Sequence, residues 1–516
     1  MFLINIKTNP STWALMRHIR LMAVMSSLLS LLSSFMYNIA ITRKIPTVGL
    51  GLLSLLNASV AFSLLPTAIL GFVYPRLVAR DGGLNINAAL GVSSIFYLMT
   101  VFMTIAYLMT VWAVMGKYAY LVLAVALLSE GTYYLQSVTN SILMVKDRGR
   151  FVISSILQSI TKFMVIPVIM RFHWSVESIL WSSFIIVFIP TLYAFIYALR
   201  FNLGIHGVRR YFREVINASW VPIMGYAMNS FRSLDAMFIG VLGYAQLGVW
   251  YVIFILSKPL GYGASIVNIT YGELLERGKV DVVYRDLLIL LFISTYAALA
   301  LSLFPGVFLN LVRPGMRNEF ASLALPVVLM AMSGVLGNVN QFISNVMQGV
   351  DKRDISNDYV RPGVYLGSLV LYTHLAELAF TVVYLVTMVP LILLFKHLGF
   401  TYYAILGALV SSLLANITAL LFRLNRLRNL KSILNGRGLL RDYLSPLAVS
   451  LAALFIIRHY WAIELTPSIY TSLIQVAEVS VIVLLIYMAA SLLASSTMRR
   501  LMREIMSRIL KVILGL

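Results

Sequence analysis

The chain contains no cysteine. That excludes disulfides, thiolate metal centres and cysteine nucleophiles, and it removes the usual marker of redox compartment. Acidic residues are scarce as well. Only 19 Asp and Glu stand against 40 Lys and Arg, and charged residues make up 11% of the 516 positions. Soluble domains carry about 25% charge, so composition alone excludes a soluble globular fold. Also missing are a phosphate-cradling Walker-type loop, metal-ligand spacing among the 6 histidines, and paired carboxylates in a long polar loop. The chain is therefore expected not to be an enzyme and to need no metal or cofactor.

What is present is apolar. Hydrophobic residues make up 60% of the chain, with a mean hydropathy of +0.90. A bilayer crossing takes about 20 residues at about 1.5 Å of rise each. Apolar runs predict fourteen such helices, near 19–41, 48–78, 86–114, 118–145, 151–171, 175–199, 217–243, 247–275, 287–311, 320–349, 363–395, 401–422, 443–463 and 468–496. The first run is too long for a cleavable leader and is followed by many more. The expected fold class is an all-α polytopic membrane protein.

Basic residues set the orientation. Most of the 40 Lys and Arg fall in the N-terminal tail, in every second loop, including Arg423, Arg426 and Arg428, and in the C-terminal tail. The opposite loops hold only Arg43, Lys44, Lys117, Arg171, Arg313, Arg317, Lys396 and Arg458. This bias predicts a multi-pass protein of the cell membrane with both termini in the cytoplasm. The net charge of +21 then reflects topology and attraction to anionic membrane lipids rather than nucleic-acid binding. Two short basic segments read as interfacial: 207–214, which also reads as a linker, and the tail from Met498, whose apolar residues share one helical face.

Three cations remain inside the spans: Lys162, Arg232 and Lys258. A charge at mid-helix costs about 2.5–3.5 kcal/mol on an insertion scale, so each is expected to face a bundle interior or a wet cavity. Helical spacing places Gly225, Asn229, Arg232 and Asp235 on one face, and Ser155, Gln158 and Lys162 on another. Further stripes hold Glu130 with Tyr134, and Asn338 with Gln341, Asn345 and Gln348. A weak internal repeat joins Ser33–Ser54 to Asn229–Tyr251: each reads as a hairpin whose second helix opens at an apolar–Gly–apolar step and carries a Pro (Pro66, Pro259). Lobes are therefore expected over 1–199 and 217–422, joined by a cytoplasmic linker at 200–216. A helix pair over 423–497 and an amphipathic tail over 498–516 would follow.

The run Ser233-Leu-Asp-Ala-Met-Phe-Ile-Gly240, followed by Leu247-Gly-Val-Trp-Tyr251, resembles the seventh–eighth helix hairpin of polysaccharide and lipid-linked oligosaccharide flippases. These belong to the multidrug/oligosaccharidyl-lipid/polysaccharide (MOP) exporter superfamily. Leu398-Gly-Phe-Thr-Tyr-Tyr-Ala404 and the loops Lys146–Arg150 and Asp351–Asp354 are similar to that family's pattern. The first hairpin departs from it: Arg43-Lys-Ile-Pro-Thr-Val-Gly49 is shorter than the family's turn, so no role passes to Arg43. The resemblance implies two six-helix lobes of the MATE-like fold, alternating access, and no ATPase domain.

A phosphate crossing hydrocarbon needs counter-charges, for which Arg and Lys are suited. Lys162, Arg232, Lys258 and Asn229 are the candidate substrate-binding residues. Asp235, Glu130, His374 and Glu377 are candidates for gating or for coupling to H+ or Na+. Arg232 with Asp235 also fits a local ion pair, Glu130 fits a partner for Lys162, and His374 with Glu377, one turn apart, fits a proton-sensitive pair. The expected function is a flippase that moves a polyprenyl-(pyro)phosphate-linked oligosaccharide from the inner to the outer leaflet. The alternative is a cation-coupled multidrug exporter of the same fold, disfavoured by the absence of an acid in the first span. A glycosyltransferase or polysaccharide polymerase would need a long outer loop with carboxylates, and every outer loop is short.

Overall fold

A computed structural model of the chain describes residues 26, 29–30, 32–67, 69–71, 74, 85–171, 175–201, 207–209, 211–213, 215–217, 223–224, 231, 233–258, 260, 274, 282–351, 366–399, 401–426, 436–461, 463–500 and 503. Among these residues there is no β-strand. Ten helices are long and apolar enough to cross a membrane, and the bent pair Thr47–Ser63 plus Leu65–Gly71 raises that to eleven. The other three expected spans, 19–41, 217–243 and 247–275, fall in part outside the described residues, so the count of fourteen rests there on sequence. The protein is an all-α, multi-pass membrane protein.

Its surface explains why. Phe102 is 73% exposed, Tyr120 76% and Leu493 80%. Large apolar side chains lie open because lipid, not water, is their solvent, and helices satisfy every backbone group internally. Three of the long helices start behind a side-chain cap. Asn85, Ser175 and Ser368 each accept a backbone N–H from three residues on.

The chain divides into two compact units, Met1–Gly248 and Val249–Leu516. In the first, α1 (Thr47–Ser63) stops just ahead of Pro66. Then come α2 (Ile86–Thr110), α3 (Ala119–Lys146), α4 (Arg148–Arg171), α5 (Val176–Ala198) and the short α6 (Leu234–Gly240). Helix α3 is the hub, packing against α5, α2, α1 and α4. The 207–214 segment lies on this unit. Tyr211 is 1% exposed and its hydroxyl accepts from the Asn85 amide, Val208 sits against Gly91, and Phe212 meets Phe96. Its apolar side faces protein, while Arg209 and Arg213 are exposed.

Helix α7 (Tyr244–Ser257) crosses from the first unit into the second. The second continues with α8 (Val282–Leu303), α9 (Phe320–Val350), α10 (Leu369–His397), α11 (Thr401–Arg426), α12 (Ser445–Tyr460) and α13 (Ile469–Ala494). The hairpin α10–α11 turns at Gly399, whose φ of 75° is the left-handed cap that glycine takes without strain. Helix α9 packs on α8 and α11, and α12 packs on α13. Asp442, just ahead of α12, is 8% exposed; it accepts from Ser495 at 2.8 Å, Thr497 at 2.9 Å and Tyr284 at 3.0 Å. Met498, at the start of the predicted tail, is 4% exposed and packs with Leu288. Nearly all of the tail beyond Arg500 lies outside the described residues.

Candidate functional site

In the first unit, Lys162 projects from α4 and donates to Ser34 Oγ at 2.9 Å, tying α4 to the first span. Tyr37, one turn beyond Ser33, meets Ser182 Oγ of α5 at 3.3 Å. Half-buried Asp235 sits in the first turn of α6 and accepts from the Ala236 amide. Beside it the Tyr107 hydroxyl donates to the Ser233 carbonyl at 3.0 Å. Asn229 and Arg232 lie outside the described residues, as does any contact between Arg232 and Asp235.

The two glycines of the hairpin motif have a packing role. A Cβ on Gly240 would stand 3.3 Å from Leu55 of α1. One on Gly248 would fall against the Thr47 carbonyl and 2.5 Å from Thr47 Cγ2. The motif therefore presses α6 and the start of α7 against α1, backbone to backbone.

Glu130 does not pair with Lys162. It is fully buried in α3, and its only hydrogen bond among the described residues is from Thr104 of α2, at 2.6 Å to Oε1. Among the described residues, Oε2 has no partner. An isolated ionised carboxylate is far too costly to leave in such a place without a compensating charge. Around it Thr100 lies 2.7 Å from the Tyr134 hydroxyl and 2.9 Å from the Ser63 carbonyl, which joins α1, α2 and α3 through polar groups.

In the second unit, Lys258 is exposed at the end of α7. Its ammonium lies 4.4 Å from the Phe254 ring centre. It forms no ion pair or hydrogen bond among the described residues.

Glu377 and His374, both on α10, are not a closed pair. Glu377 is held by Arg423 Nη2 of α11, and His374, half-buried, makes no hydrogen bond to it among the described residues. Arg423, which the sequence reading placed in a loop, lies within α11: it is 1% exposed, the largest fully buried side chain among the described residues. Its Nη1 donates to Asn340 Oδ1 at 2.6 Å. The Asn340 amide donates to the Asn416 carbonyl at 2.8 Å, and Asn416 donates to Ser333 Oγ at 3.0 Å. A buried charge is tolerated only when paired and hydrogen-bonded, and here α9 and α10 supply the partners. The sequence holds a signal for this: Ser412, Asn416 and Arg423 recur at helical spacing along α11. The α9 stripe divides. Asn338 donates to the Leu260 carbonyl at 2.7 Å, whereas Gln341 is exposed.

The two loops noted for their basic residues share one device. Asp147 Oδ1 accepts from the Arg150 amide at 3.1 Å, and Asp351 Oδ2 accepts from the Leu369 amide at 2.6 Å. In each, the acid that closes one long helix caps the start of the next.

No family model and no curated protein matches the sequence. Solved structures do match the fold. The lipid II flippase MurJ, in an inward closed conformation, superposes with a TM-score of 0.59 at 12% identity, covering 90% of this chain and 98% of that one. An inward-facing multidrug resistance MATE transporter of the MOP superfamily gives 0.56 at 14% identity, over 78% of this chain and 96% of that one. A MATE protein in complex with MaD3S gives 0.50 at 17%, over 80% and 94%. The chain has the fold these transporters share.

Proposed function

We propose that the protein is an alternating-access flippase that carries a polyprenyl-(pyro)phosphate-linked oligosaccharide from the inner to the outer leaflet of the cell membrane. The carrying observation is Lys258, an exposed lysine inside a stretch read as a span, with no acid paired to it among the described residues. Such a group is costly in hydrocarbon unless it serves an anionic substrate. Lys162 adds a second cation, and Arg232 with Asn229 completes the substrate-binding set. Asp235, at the start of α6, serves gating. The repeats form two lobes, 1–199 and 217–422, with the 200–216 linker and both termini in the cytoplasm. A lipid II flippase of the same fold supports the choice of a lipid-linked substrate over a drug.

The test is leaflet translocation of a fluorescent polyprenyl-pyrophosphate glycan in proteoliposomes. Wild type is expected to move it, and Lys162→Ala, Arg232→Ala and Lys258→Ala each to slow it about 10-fold or more, the scale of one lost charge-assisted hydrogen bond. Unchanged rates in all three variants would retain the flippase and reject the cationic site. No movement, together with proton- or sodium-driven export of an organic cation, would make the protein a multidrug exporter.

A further inference from the structure

The hydrogen atoms around Glu130 do not suffice for its ionised form. Thr104 has one hydroxyl proton and two acceptors in reach, Glu130 Oε1 at 2.6 Å and the Thr100 carbonyl at 3.0 Å. Thr100 is no spare donor: its proton goes to the Ser63 carbonyl at 2.9 Å, while its oxygen accepts from the Tyr134 hydroxyl at 2.7 Å. A proton on Glu130 closes the count: the carboxyl donates to Thr104, and Thr104 donates to Thr100. Glu130 Oε2 and Ser63 Oγ, both on fully buried residues, still lack partners among the described residues. Every donor atom in this seam is oxygen, the set that suits a hard cation. Among the described residues no Lys, Arg or His bonds to the carboxylate. The titratable groups facing it are Tyr97 and Tyr134.

We propose that Glu130, with Thr104, Thr100 and Ser63 around it, seats a small monovalent cation, a proton or a sodium ion, that neutralises the carboxylate within the first unit. The site is independent of the substrate reading, because none of the residues assigned to the substrate bonds to it among the described residues.

Infrared difference spectroscopy on the purified full chain tests the site without a transport assay. The carbonyl stretch of a protonated carboxyl is followed while pH is raised in choline chloride, and separately while sodium replaces choline at fixed pH. A Glu130-dependent band that fades only with pH marks a proton site. One that fades as sodium enters marks a sodium site exchanging with the proton. Glu130→Gln should remove the band. Thr104→Val, which keeps the carboxyl, should shift its midpoint about 10-fold in ion concentration, as loss of an orienting partner does. If Glu130→Gln does not fold, Thr104→Val carries the test. Absence of a titrating band in wild type, a band that Glu130→Gln leaves intact, or a midpoint that Thr104→Val leaves in place would overturn the proposal.

Discussion

Each unit holds a glutamate within its packed helices, and the two are neutralised in opposite ways. In the second unit the counter-charge is built in: buried Arg423 holds half-buried Glu377 and also donates to Asn340, which donates in turn to Asn416. In the first, fully buried Glu130 has one threonine hydroxyl and, among the described residues, no Lys or Arg partner. A covalently tethered guanidinium cannot leave, so Glu377 is a permanent fixture of the α10–α11 packing. A carboxylate surrounded by hydroxyls and carbonyls can exchange its counter-ion. The same residue type is thus structural in one unit and exchangeable in the other.

The largest effect should come from breaking the fixed pair. Arg423→Met leaves Glu377 without its counter-charge and should lower stability by about 3–5 kcal/mol, read by denaturant unfolding in detergent. Arg423→Met combined with Glu377→Leu should restore most of that loss, because an apolar pair of similar volume needs no desolvation. Glu130→Gln, by contrast, should cost well under either single change. An equal loss for Glu130→Gln and Arg423→Met would erase the distinction between the units.

A smaller difference concerns how each unit uses a close glycine. Gly248→Ala drives a methyl against the Thr47 backbone and should lose about 1–3 kcal/mol. Gly334→Ala meets the tip of the Leu260 side chain at 2.5 Å, which can rotate away, so its loss should be smaller. Thermal unfolding of the two variants side by side checks the order. Smallest, and equal between the units, should be the caps: Asp147→Ala and Asp351→Ala are each expected to cost about 1 kcal/mol. A marked inequality would argue that only one of the two is a cap.

The helices were legible as long apolar runs, but their ends were less so: the span expected over 363–395 begins at Leu369, behind the cap Ser368. The flippase-like hairpin was legible for a reason the sequence hides: Gly240 and Gly248 are where helices touch, and only the structure shows what they touch. Lys162 was read as facing an interior, and it reaches Ser34 of the first span. Arg423 escaped notice because a basic residue at the end of an apolar run reads as a loop charge. Nothing local separates it from Arg426, which is exposed and stacks on Tyr372 at 4.0 Å. Its partner Glu377 is 46 residues away, and such pairings depend on how helices are registered against one another. The same limit hid the partner of Glu130, Thr104 of α2, since spacing along one helix says nothing of the helix opposite.

The knot at Asp442 bears on how the chain is made. Synthesis runs from the N-terminus, so Asp442 is built 53 residues before Ser495, the donor to its Oδ1. Until α13 and the residues after it emerge, two of the three hydroxyls that quiet this carboxylate do not exist. Helix α12 therefore cannot take its final seat on arrival; it waits for α13, and the two settle as one late event in assembly. Truncation before Ser495 would leave a stalled intermediate with an unquenched acid at the edge of α8, the kind of exposed defect that membrane quality control removes.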